Sequence, residues 1–261
     1  MARPRLSTAL TWPRFEKAVH AVFTEALQRL GEFERLPKSE EPINLELYWL
    51  ARKVHQELLL SEEGNLPFTI NSDSTNQPEP DDSARSPRLR KMPDFRCTMI
   101  DAQAEDYRRS QVNYYLECKR LGMAEGKWIL NENYSEHGIA RFMRTDWGYG
   151  KGCTSAAMIG YVQNMEPDEI LRDVNTHAVS RSIPSLTRAA TGWVTRNITC
   201  ISQPPLLREF DTNRVQLYHF WMDLRHCQFD IASDQPPQSA ADSPPSAKRM
   251  RKRGGSGNRK K

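Results

Sequence analysis

Apolar residues recur every three or four positions through the first part of the chain. Phe15, Val19, Val22, Phe23, Ala26, Leu27 and Leu30 fall on one face, which predicts a helix over residues 12–30. Thr11 is placed to cap it, Pro13 fits its first turn and Gly31 closes it. Leu47, Leu50, Ala51, Val54 and Leu58 make a second stripe, predicting a helix over residues 44–60 with Asn44 as its cap. Residues 71–91 are rich in Pro, Ser, Asp and Asn and read as a surface loop. The period then drops to two. Phe95, Cys97 and Met99 alternate with Arg96, Thr98 and Ile100, and a second strand follows over residues 112–119, so the two can form a hairpin.

Helical spacing returns over residues 134–144, with Ile139, Phe142 and Met143 apolar. The near-continuous apolar run at 156–162 is the mark of a strand buried on both faces. A helix is predicted over 167–180, with Asp168 and Glu169 at its positive end. Late strands are predicted over 197–202 and 215–224. This order of elements gives one mixed α/β (α+β) domain over residues 1–231. Residues 232–261 carry almost no large apolar side chains and read as a disordered tail.

The chain has 261 residues, and the 38% that are apolar are concentrated outside the loop and the tail, so the remainder is long enough to bury a core. No stretch is long and apolar enough to span a membrane, and the N-terminus has no apolar segment of a secretory signal. Five scattered cysteines, none at C-x-x-C spacing, argue against a disulfide framework and a standard zinc site. They fit a cytoplasmic protein, near the nucleoid in a bacterium or in the nucleus of a eukaryote. The net charge of +4 divides unevenly. Residues 248–261 hold eight basic residues and no acidic one, leaving 29 basic against 33 acidic residues elsewhere, a net −4. Lys248, Arg249, Arg251, Lys252 and Arg253 are therefore candidates for sequence-independent contact with nucleic acid, or for a targeting signal.

Two short segments carry the chemistry. Pro93-Asp94 precedes the first predicted strand and Glu117-Cys118-Lys119 ends the second. Alternation puts Val112, Tyr114, Leu116 and Cys118 on one face and Asn113, Tyr115, Glu117 and Lys119 on the other. If the strands pair, Asp94, Glu117 and Lys119 converge. Two adjacent carboxylates repel unless a cation joins them, and oxygen ligands suit Mg²⁺, with Mn²⁺ able to substitute. Such an ion can bind a phosphodiester oxygen and lower the pKa of a bound water, while a neighbouring lysine offsets developing negative charge. Glu125-Gly126-Lys127, Pro80-Asp81 and Pro167-Asp168 repeat parts of the pattern, but only 94 and 117–119 have strand context. The bland alternative is an exposed cross-strand ion pair of little energetic weight. The glycine-rich run 147–152 lacks the spacing of an NTP-binding loop.

Pro93-Asp94 and Glu117-Cys118-Lys119, 23 positions apart from Asp94 to Glu117, resemble the PD-(D/E)xK signature of the restriction-endonuclease-like nucleases. The resemblance implies a central mixed sheet of four to five strands flanked by helices. It implies Asp94, Glu117 and the backbone carbonyl of Cys118 as metal ligands and Lys119 as the residue serving the attacking water. It also implies a carboxylate from the preceding helix, for which Glu46 is the candidate ahead of Glu57 and Glu16. Arg141 and Arg144, after the active strand, are candidates for phosphate contact. The function so implied is Mg²⁺-dependent hydrolysis of nucleic acid, most readily DNA, in defence or repair. A protein partner that senses or moves along nucleic acid, or a second copy of the chain, fits a domain of this size. The alternatives are a non-cleaving nucleic-acid-binding module on the same fold and a structural protein with an incidental charged pair. Alanine at 94, 117 or 119 is expected to abolish cleavage and leave folding nearly intact.

Overall fold

The eight residues Ser155–Val162 form a strand, β5, buried along its whole length, as a strand with helices on both faces must be. It is the centre of a seven-stranded sheet in the computed structural model, which describes residues 6–61, 67–72, 91–101, 104–107, 110–189 and 197–230. The strands in chain order are β1 (Arg35–Pro37), β2 (Thr69–Ser72), β3 (Phe95–Ile100), β4 (Gln111–Leu121), β5, β6 (Thr187–Arg188), β7 (Ile198–Ser202), β8 (Gln216–Asp223) and β9 (Gln228–Asp230). The helices are α1 (Leu6–Leu30), α2 (Glu40–Leu60), α3 (Leu130–Glu136) and α4 (Pro167–Ser180). The sheet runs β2-β3-β4-β5-β8-β7-β6, parallel across β4, β5 and β8 and antiparallel elsewhere. β1 and β9 pair separately in a short parallel ribbon. The chain divides into the units Met1–Ile231 and Ala232–Lys261, and the second lies outside the described residues.

Each face of the sheet has its own core. Phe15, Val19, Phe23 and Leu27 of α1 and Leu47 and Val54 of α2 pack with Tyr114, Leu116 and Cys118 of β4. On the other face Tyr134, Ile170 and Val174 pack with Tyr115, Leu121, Met158 and Trp221. The alternation along β4 thus distributes side chains to two buried faces, so the face carrying Glu117 and Lys119 is covered as well.

Several expectations need correction. The sheet has seven strands, not four to five, because β2 and β6 extend its edges beyond the five strands that the sequence predicts. β2 takes Asn71 and Ser72, which the composition assigned to the loop, since Phe68 and Ile70 are buried beside them. α1 starts at Leu6, so Pro13 lies inside it rather than in its first turn and Thr11 is not its cap. α2 starts at Glu40 after Ser39, so Asn44 is not its cap. The helix expected over 134–144 is α3 followed by a separate 3-10 turn, Ile139–Phe142. Gly138 divides them: a Cβ there would meet Tyr134 O at 2.4 Å and Met158 Cε at 2.5 Å. Among the described residues no helix is long and apolar enough to cross a membrane.

Candidate active site

β4 outruns its neighbour. The antiparallel register with β3 ends at Phe95 opposite Leu116, while β4 continues to Leu121 paired only with β5. Beyond Leu116 the β3-side backbone groups of β4 have lost their strand partner and must find another. They find carboxylates. Asp94 Oδ2 accepts from the Cys118 N–H at 2.7 Å, and Glu40 Oε2 accepts from the Arg120 N–H at 3.2 Å. Lys119 Nζ donates to the Cys118 carbonyl at 2.5 Å. The acidic groups therefore gather where the sheet opens.

Two helical residues complete the arrangement. Glu40 opens α2, with Glu41 beside it in the first turn, where the helix dipole favours negative charge. One turn on, Asn44 donates to Asp94 Oδ1 at 3.2 Å and accepts from the Tyr161 hydroxyl at 2.8 Å, which fixes the orientation of the Asp94 carboxylate.

Lys119 Nζ lies among the acids, 2.6 Å from Glu40 Oε1, 3.0 Å from Glu117 Oε1 and 3.9 Å from Asp94 Oδ2. Arg141 donates to Glu117 Oε1 from the other side, and its guanidinium lies 4.1 Å from the centre of the Trp147 ring. The Glu117 side chain is 0% exposed, which excludes the surface ion pair that the sequence left open. Burial raises the Asp94 carboxyl well above its ordinary range, and the Glu117 charge adds to it. Burial raises Glu117 too, against the pull of Lys119 and Arg141. Burial alone would lower the Lys119 ammonium, but Glu117, Asp94 and Glu40 outweigh it and hold it protonated.

The structure thus brings Asp94, Glu117, Cys118, Lys119 and Arg141 together. It does not bring Glu46, which is about 120° round the helix from Glu40; Glu40 is the helical carboxylate that reaches the site. Glu57 instead pairs with Arg29 at 2.7 Å, and Glu16 accepts hydrogen bonds from Ser155 and Tyr218. Arg144 lies just past the 3-10 turn and near Glu136, whose carboxyl Arg181 chiefly lowers, with His137 and Arg144 adding to it. Tyr115 and Tyr134 are buried in the core. Lys248, Arg249, Arg251, Lys252 and Arg253 lie outside the described residues. Glu40, Asn44 and Tyr161 were missed. The one available signal for Glu40 was the Ser39-Glu40-Glu41-Pro42 run, which resembles a helix start.

The donor set suits a divalent ion. Asp94, Glu117, Glu40 and the Cys118 carbonyl offer hard oxygens, and Glu117 Oε2 is buried with no hydrogen-bond partner among the described residues. Among the described residues no three Asp, Glu, His or Cys side chains stand together at ligand geometry; the Lys119 ammonium is held between the acids, and Arg141 takes one Glu117 oxygen. Ion and ammonium compete for the same oxygens. No protein-family model, curated protein or solved structure matches the chain.

Proposed function

We propose that this protein is a divalent-metal-dependent nuclease of restriction-endonuclease-like architecture, hydrolysing phosphodiester bonds of nucleic acid, most readily DNA. The observation that supports this reading most is the convergence of Asp94, Glu117 and Lys119 at the open end of β4, with a buried, unpartnered Glu117 oxygen among them. Asp94, Glu117 and the Cys118 carbonyl would hold Mg²⁺ or Mn²⁺, with Glu40 beside them. A bound ion would supply Lewis acidity at a phosphoryl oxygen and a more acidic water.

The chain's own residues define the rest. Asn44 and the Cys118 N–H hold the Asp94 carboxylate in place. Lys119 is held too firmly protonated to serve as a base near neutral pH; its part is to orient the attacking water and offset charge on the phosphate. Arg141 neutralises Glu117 from behind and borders the same cavity as Lys119. A second reading has a specific observation in its favour. The Lys119 ammonium already contacts the oxygens an ion would need, as it would in a module that grips nucleic acid without cutting it.

Lys119→Met separates the two. In the nuclease, removal of the ammonium frees the oxygens, so Mn²⁺ binding persists or tightens while plasmid cleavage falls by about a hundredfold or more. Cleavage at the wild-type rate by Lys119→Met contradicts the role given to the lysine, and a wild type that binds nucleic acid but never cuts it favours the binding module.

A further inference from the structure

The lip of the cavity beside Lys119 carries an aromatic ring that the fold holds out in water. Glu125 and Trp128 close a two-residue turn with reciprocal backbone bonds, Glu125 N–H to Trp128 O at 2.8 Å and Trp128 N–H to Glu125 O at 2.9 Å. Gly126 at its tip has φ +59°, a conformation that favours glycine. The Glu125 carboxylate is tied by Arg120 at 2.9 Å and by Lys38 at 3.2 Å. The second Glu-x-Lys of the sequence is therefore an anchored turn, closed by the residue that follows it. That residue, Trp128, is 64% exposed.

An indole ordinarily contributes buried area and finds a partner for its N–H. Here it borders a cavity of about 510 Å³ whose lining also includes Glu40, Lys119, Arg120, His137 and Arg141. The volume is in the range of small-ligand pockets and suits one nucleotide. Lys119 contacts Glu40 directly at 2.6 Å, Arg120 and Arg141 add two further cationic side chains to the lining, and His137 is exposed. A flat apolar face next to cationic groups complements a base joined to a phosphate.

We propose that Trp128 is a stacking platform for a nucleobase, so that the nucleic acid entering the site is single-stranded at the nucleotide held there. This rests on the nuclease reading and names its substrate class. Inside a duplex both faces of a base are covered by its neighbours, whereas an unpaired base has a face to offer. Lys119 and Arg141, inside the cavity, are the complement of its phosphate.

The test uses the full chain in EDTA, with a short labelled oligothymidylate and a blunt duplex of the same length, read by fluorescence anisotropy. Mn²⁺-dependent cleavage is read from the same preparations, and circular dichroism checks that each variant is folded. Wild type is expected to bind the single strand more tightly. Trp128→Ala should weaken that binding by about tenfold to a hundredfold with little effect on the duplex, and Trp128→Phe should restore most of it. Trp128→Ala binding the single strand as wild type does, or wild type preferring the duplex, overturns the assignment; if cleavage persists, the nuclease reading stands without it. A wild-type chain that neither binds nor cuts either strand overturns both.

Discussion

Glu117 is a carboxylate with no access to water, held between Lys119 and Arg141. Removing one member of a buried ion cluster leaves the others uncompensated, which costs more than the cluster's net worth. Glu117→Ala is therefore expected to lose about 3–5 kcal/mol of stability. Glu117→Gln, which keeps the volume and an oxygen for Arg141, should lose distinctly less. Urea unfolding of the two variants checks this, and an alanine variant as stable as wild type would contradict the buried cluster. The expectation that alanine at 117 leaves folding nearly intact is corrected on this ground: it took Glu117 for a local polar group outside the core, and Glu117 is fully buried. Asp94, Glu117 and Lys119 were legible in the sequence because a period of two fixes which strand residues share a face. Glu40 was not, because α1 and α2 carry several glutamates and only the landing point of the α2 N-terminus against the gap in the sheet selects one.

At the scale of elements, the face of β8 opposite α1 carries a polar chain through the core. Trp221 donates to the Tyr134 hydroxyl at 3.0 Å, the hydroxyl lies 2.8 Å from His219 Nδ1, and His219 Nε2 lies 3.1 Å from Gln203 Oε1. Because the Tyr134 oxygen accepts from Trp221, its proton can go to Nδ1, which leaves Nε2 to donate to Gln203. A neutral imidazole thus satisfies the whole chain, and burial lowers its pKa to about 3. The unfolded chain takes up this proton near pH 6.5 and the folded chain does not until about pH 3. The unfolded state therefore holds more protons in that window, and stability falls as the pH drops through it, by up to about 1.4 kcal/mol per pH unit. His20, lowered by burial to about 4, acts with the same sign. Asp94 acts oppositely, since its raised carboxyl takes a proton first in the folded chain. The melting temperature of His219→Gln is expected to fall less between neutral pH and about pH 4.5 than that of wild type; an equal fall would contradict a neutral, buried His219. The long strands and α4 were legible from period and apolar runs. β1, β2, β6 and β9 were not, because strands of two to four residues carry no measurable period. The turn at Gly138 was hidden because the apolar spacing continues across it.

At the scale of the molecule, helices cover both faces of the central strands, and the proposed chemistry belongs to the place where the sheet itself opens. That place is the end of β4, flanked by the start of α2 and the Arg141 turn, and it gathers acids whose repulsion is relieved only in part by Lys119 and Arg141. A divalent ion would relieve it further. The measurement that tests this most directly is calorimetric titration of the full chain with Mn²⁺, wild type beside Asp94→Ala, with plasmid cleavage read from the same preparations. Wild type is expected to show saturable binding and cleavage, and Asp94→Ala to lose both. Equal Mn²⁺ binding by the two proteins, or none by wild type, would contradict it.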